Sequence, residues 1–292
     1  MDAEKKRKII SVGVNILFVS CLLLVGWIIF QLFFFASFRI PSNSMEPALK
    51  NGDHVLVWKG IPGARLFNIF DLLDRKSTTI YRLPRVRDVK RNDVLVFNAP
   101  YPRSSDKLEM HLMKYYVKRC FGLPGDTVAI QNDTYLINGH AYDIKYKEFL
   151  PEINNSFITE FSEAAKPAFP SDSITQWDIR NFGPLYIPRK GDTLSMNREN
   201  YSLYHKLIEW EQQAEVFYRD SVVYLNHHPL PSYTFQQNYF FMLSDYGKYS
   251  YDSRYWGLLP EDFIVGKVWI IRKSTDPYWG EWRWDRFLKK VD

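Results

Sequence analysis

Residues 9–38 read IISVGVNILFVSCLLLVGWIIFQLFFFASF, a run of thirty positions without a charge. No other feature restricts this chain of 292 residues as severely. Hydrocarbon offers backbone groups no outside partner, so an apolar segment of this length satisfies them internally as a helix. A membrane span needs about 20 apolar residues, which leaves room for tilt or an interfacial extension. Asn15 and Gln31 are read as its ends. Lys5, Lys6, Arg7 and Lys8 precede the run, and only Arg39 follows closely. The positive-inside rule then makes residues 1–8 a basic cytoplasmic segment and puts everything after 38 on the far side. A cleaved signal peptide would have an apolar core of about 7–15 residues and a small-residue cleavage site. This run is longer, and Phe33-Phe34-Phe35 is a poor approach to cleavage. One uncleaved anchor over 9–38 is the expectation.

Beyond the anchor the chain reads as mainly β. Strand-like runs lie at 54–59, 93–99, 114–121, 127–131, 134–139, 221–226, 238–243 and 263–272. Turn signals separate them: Asn51-Gly52-Asp53, Leu123-Pro124-Gly125-Asp126 and Asn138-Gly139. Their spacing fits antiparallel sheets rather than alternating βαβ units. Residues 60–90 read as loop. Residues 145–215 break the pattern with five prolines and the best helix candidate, 197–213, where Tyr201, Tyr204, Leu207 and Ile208 recur at helical spacing. The expected organisation is a discontinuous β-rich domain, 39–144 and 216–292, interrupted by a variable inserted α+β region at 145–215. A weak echo links 125–143 with 219–233, each a strand ending in Asn plus a short hairpin. The aromatic and basic stretch 277–290 suits either a membrane interface or packing on the domain.

Composition excludes several functions. Net charge is +5, and the first eight residues carry four basic and two acidic side chains, leaving +3 for the other 284. No basic stripe interleaves with aromatics, so nucleic acid is not an expected partner. Cys21 and Cys120 make no disulfide framework, since one lies in the apolar run. Six scattered histidines show no paired-ligand spacing, so no metal site is expected. GLPGD at 122–126 is a strand-to-strand turn rather than a phosphate cradle.

What remains is the stretch SNSMEP at 42–47, at the exit of the anchor. A serine hydroxyl needs a base within hydrogen-bond reach to act as a nucleophile. A lysine serves only when burial favours its neutral form, so a catalytic lysine belongs in an apolar strand. MKYYVKRCF at 113–121 offers Lys114 and Lys118. Strand alternation puts both on one face with Tyr116 between them, and periodicity does not choose. A loop dense in short polar groups, 244–254, follows between two apolar strands, and in it Asp252 and Arg254 can pair in a buried network.

S-x-S-M-x-P after a membrane span, then Y-V-K-R-x-x-G-L-P-G-D, then S-x-D-S-R-x-W-G resembles the type I signal peptidases, membrane-anchored Ser/Lys endopeptidases. The resemblance covers the anchor and residues 38–59, 93–143 and 219–272. It implies that Ser44 is the nucleophile and Lys118 the general base. Ser42 would donate to the oxyanion beside the backbone N–H of Ser44, and Met45 would help form the substrate pocket. Ser250 would orient the Lys118 amine. Asp252 and Arg254 would form a supporting salt bridge with Asp245 as further support, and Arg119 would be structural. The sequence departs from the family in having Ser244-Asp245-Tyr246 where G-D-N is usual. Cys120-Phe121 replaces an aliphatic pair, and Tyr251 is larger than expected.

The implied function is cleavage of signal peptides from exported preproteins, without cofactor. The place is the outer face of a bacterial cytoplasmic membrane, with the bilayer and the secretion translocon as further partners. Two alternatives stand beside it. One is a Ser/Lys self-cleaving repressor-type peptidase, which usually carries a DNA-binding helix-turn-helix rather than an anchor. The other is a non-catalytic anchored β-rich envelope protein that binds secretory precursors.

Overall fold

The apolar run forms most of α1 (Ala3–Phe34) in a computed structural model of the chain. The model describes residues 3–66, 81–101, 107–143, 167–172, 174–246 and 251–291. Within α1, Ile10–Gln31 is long and apolar enough to cross a membrane, and none of it is buried in the protein. Gln31 ends this stretch as expected, whereas Asn15 lies inside it. The helix stops at Phe34. Residues Phe35–Arg39 form β1, which pairs antiparallel with β2 (Asp53–Trp58) from Phe35↔Trp58 to Arg39↔His54. A strand partner satisfies this backbone, and aromatic residues fit the pleated surface.

The central sheet adds β3 (Val94–Ala99), β4 (His111–Gly122), β5 (Tyr239–Leu243) and β6 (Ile264–Ser274). Its order is β1-β2-β6-β3-β4-β5, then the short strand Leu259–Pro260, with Lys289–Lys290 pairing β6. Every pairing in it is antiparallel. β3 is buried throughout, and its alternation divides two cores. Val94 and Val96 join a small cluster with Ile40, Met45, Leu49, Val55, Val57 and Val268. Leu95 and Phe97 face the larger cluster of Phe121, Phe182, Tyr204, Ile208, Phe241 and Phe263.

The echo between 125–143 and 219–233 is structural. Thr127–Gln131, Thr134–Ile137 and His140–Ala141 form one meander, and Val216–Arg219, Val222–Leu225 and His228–Pro229 form another. Both turn on residues with positive φ, Asn132-Asp133 and Asp220-Ser221. Such pairs favour tight hairpins because their twist matches that of the strands. Between the meanders runs α2 (Arg198–Gln212), capped by the Asn197 side chain, which accepts from Asn200 N. Leu203, Tyr204, Leu207 and Ile208 seat it in the larger core. Residues Phe182–Tyr186 pair with Thr127–Gln131, a strand not foreseen from the sequence.

GLPGD is a turn: Asp126 accepts from Leu123 N at 2.7 Å, and Gly125 takes a φ of 89°. Cys21 and Cys120 are both free. The C-terminal stretch packs in part on the domain. Arg286 is buried and pairs with Asp53, while Tyr278, Trp279 and Trp284 stay exposed.

Candidate active site

The segment bearing Ser42 and Ser44 is a turn held from beneath. Ile40, Met45 and Leu49 enter the small core, while Ser42 and Asn43 are exposed and Ser44 is half-buried. Glu46 N donates to Asn43 O at 3.0 Å and Leu49 N to Met45 O at 2.7 Å, which winds the turn. Arg286 Nη2 secures its end by donating to Ala48 O at 2.9 Å and Asp53 Oδ2 at 2.6 Å. Ser44 therefore rests on a packed base with its hydroxyl left outward.

Lys118 reaches this turn from β4, where it is only 5% exposed. Its Nζ donates to Ser44 Oγ at 3.1 Å and to Ser244 Oγ at 2.6 Å. Ser42 Oγ lies 3.4 Å from Ser44 Oγ. Lys114, from the same strand, is half-buried with its Nζ 5.1 Å from the Tyr116 ring centroid. The geometry thus brings together Ser42, Ser44 and Lys118, and separates the two lysines that alternation left equivalent.

Two buried ion pairs stand behind this cluster. Asp252, fully buried, accepts from Arg254 Nε and Nη2, each at 2.9 Å, and from Ser244 N at 3.1 Å. It also caps the short helix α3 (Ser253–Trp256). Arg254 donates onward to the Tyr135 hydroxyl at 3.2 Å. Burial works to raise the Asp252 carboxyl, but the Arg254 guanidinium, the Lys118 charge and the Ser244 N–H together outweigh it and hold the acid below its usual range. Asp245 accepts from Arg119 Nε and Nη2 at 2.6 and 2.7 Å. Burial pushes the neighbouring Cys120 thiol up, so it offers no competing thiolate. Met45, 1% exposed, belongs to the core beneath the turn. Ser250 lies outside the described residues. Among the described residues no group of three His, Cys, Asp or Glu is placed to hold a metal ion.

Sequence reasoning noted Ser244 as a departure from the family pattern, not as a contact of the lysine. A signal for it existed in the strand register. β5 pairs with β4 through Leu243↔Arg119 and Met242↔Cys120. The next position of that ladder sets residue 244 opposite residue 118.

Among the described residues, no strand covers the approach to Ser44. β4 pairs with β3 on one side, and among the described residues its other edge meets a strand only from Arg119 onward. The outer edge of β1 is likewise at the end of the sheet. Side chains of the two strands meet, Phe38 and Tyr115 in edge-to-face contact at 4.9 Å. A hydroxyl within reach of a buried amine, a second hydroxyl beside it and free strand edges nearby suit acyl transfer on an extended peptide.

Comparison with known proteins agrees with that chemistry. A family model described as signal peptidase, peptidase S26, matches residues 10–272. Signal peptidase I of Pseudomonas aeruginosa is 28% identical over 261 residues, 86% of this chain and 69% of its own length. That of Buchnera aphidicola subsp. Schizaphis graminum is 26% identical over 273 residues, covering 90% and 76%. A solved signal peptidase I from Enterococcus faecalis V583 aligns over 63% of this chain and 98% of its own at 20% identity, with a TM-score of 0.29, too low to bear on the fold. The match over residues 10–272 covers the anchor, the serine turn and the lysine strand alike: the chain belongs to the signal peptidase family, peptidase S26.

Proposed function

We propose that Ser44 is the nucleophile and Lys118 the general base with which this serine peptidase removes signal peptides from preproteins. The observation that carries the assignment is the 3.1 Å contact between Lys118 Nζ and Ser44 Oγ inside a buried strand. The step requires an uncharged amine, the form that burial favours. The Ser44 proton passes to Nζ as Oγ bonds to the scissile carbonyl carbon. The Ser42 hydroxyl and the Ser44 N–H receive the oxyanion. The Lys118 ammonium then gives its proton to the leaving amine, and the freed amine activates water to hydrolyse the acyl-enzyme. Asp252–Arg254 and Arg119–Asp245 keep the strand ends in place, with Ser250 as a further orienting group. Met45 helps form the substrate pocket by supporting its floor from the core beneath the turn.

The signal peptide binds extended along the open edges of β1 and β4, exchanging backbone hydrogen bonds and placing alternate side chains in pockets. α1 anchors the enzyme in the bacterial cytoplasmic membrane, N-terminus inside and catalytic domain outside, within reach of the secretion translocon. A substrate held in the same bilayer meets the site at raised effective concentration.

The test is cleavage of a model precursor by the detergent-solubilised full chain, beside Ser44→Ala, Lys118→Ala and Lys114→Ala. The expected result is activity in the wild type and Lys114→Ala only. Death of Lys114→Ala with survival of Lys118→Ala would overturn the base assignment. A wild type that binds precursors without cutting them would make the chain a binding protein.

A further inference from the structure

We infer that Ser244 is a positioning residue for the general base, a role that rests on Lys118 being that base. The ladder between β4 and β5 explains how it comes to be there. Leu243 pairs with Arg119, so Ser244 and Lys118 face one another in the next rung. Directly opposed side chains in an antiparallel pair have Cβ atoms about 4.5–5.5 Å apart. Asp245, one residue further on, faces the other way and reaches diagonally to Arg119, the partner of Leu243, in the buried ion pair, so adjacent residues on each strand serve structure on one face and the amine on the other.

Ser244 is itself fixed. It is 3% exposed, and its N–H is held by the Asp252 carboxylate, which in turn is locked by Arg254. A rigid line therefore runs from Arg254 through Asp252 and Ser244 to Lys118 and Ser44. The chemistry gives that line a purpose. A neutral amine has two N–H groups and one lone pair, and it acts as a base only if the lone pair points at the hydroxyl it must deprotonate. The Ser244 oxygen, 2.6 Å from Nζ, accepts one N–H and so removes rotational freedom about the last bond of the lysine. It remains an acceptor when Nζ carries the Ser44 proton, and the contact then becomes charge-assisted. Ser244 neither gives nor takes the transferred proton. A glycine at this position lacks the oxygen and leaves that N–H to another group or to water.

The experiment measures kcat and KM against pH for the full chain in detergent, with a precursor substrate. The variants are Ser244→Ala, Ser244→Gly and Ser244→Thr, with Lys118→Ala as reference and thermal unfolding recorded for each. Misplacing a catalytic group by about 1 Å can cost on the order of 10²-fold in rate, so Ser244→Ala and Ser244→Gly are expected to lower kcat by about ten- to a hundredfold with KM unchanged. The acid limb of kcat/KM moves to lower pH, because the ammonium has lost an acceptor. Ser244→Thr, which keeps the hydroxyl, restores most of both. A merely structural Ser244 would lower the unfolding temperature without moving the acid limb, and would overturn the proposal. Wild-type kcat and pH profile in Ser244→Ala, with Lys118→Ala dead, would do the same while sparing the base assignment. Full activity in Lys118→Ala would remove the base itself.

Discussion

The two halves of β4 differ more than neighbouring strands do. From His111 to Val117 the strand is exposed or half-buried and one edge is unpaired by any described strand. From Lys118 to Gly122 it is wholly buried, with β5 on its second edge from Arg119 onward. Lys114 and Lys118 share a face, yet one lies over the Tyr116 ring and the other is enclosed by hydroxyls. The difference teaches that a lysine's chemistry here is decided by where the neighbouring strand begins, not by its own side of the pleat. Four measurements sharpen or break this contrast.

The largest effect is expected at the junction. Lys118→Ala should reduce kcat/KM by up to about 10⁴-fold, the upper range for losing a general acid–base group. Equal losses in Lys114→Ala would erase the distinction between the halves. Next comes the support behind the buried half. Asp252→Ala leaves the Arg254 charge buried and unpaired, which should cost about 3–5 kcal/mol in denaturant unfolding of the domain. On the open side of the site, Ser42→Ala should lower kcat by about 10²–10³-fold with little change in stability. A loss confined to KM would place Ser42 in substrate binding instead.

The smallest effect is one of pH. Burial raises the Asp252 carboxyl, but Arg254, with Lys118 and the Ser244 N–H, more than offsets this and the folded acid titrates below the unfolded one. Its contribution is therefore complete above the unfolded value of about 3.9 and is lost as pH falls through the lower folded value. Unfolding followed from pH 7 downward should show less acid loss in Asp252→Asn than in wild type. Identical slopes would mean that other carboxylates dominate.

Much of this architecture could be read from residues alone, because alternation and turn chemistry are local. The strands at 127–131 and 238–243 and the helix at 197–213 were found within a residue or two at either end. Three things were hidden for physical reasons. β1 sits inside an apolar run whose composition does not say where intrahelical bonds give way to a partner strand. Phe182–Tyr186 carries Gly183 and Pro184, which read as loop, yet Thr127–Gln131 pairs with it around an irregularity. The Ser244–Lys118 contact depends on register, which no single segment carries. The family resemblance singled out Ser44 and Lys118, whose side chains lie 3.1 Å apart; the reason they touch lies in the packing of Ile40, Met45 and Leu49 under one and of β5 beside the other.

The alternation of Lys118 and Arg119 against Ser244 and Asp245 has a consequence for how the chain can change. Deleting one residue between the Tyr116 position and the start of the β5 ladder reverses parity, turning a guanidinium toward Ser44 and an amine toward Asp245. Deleting two restores the orientation but displaces it by a rung. Strand length at this junction is thus quantised. A chain copied with a slip here would be inert rather than miscutting, since a guanidinium stays protonated and accepts no proton from a serine.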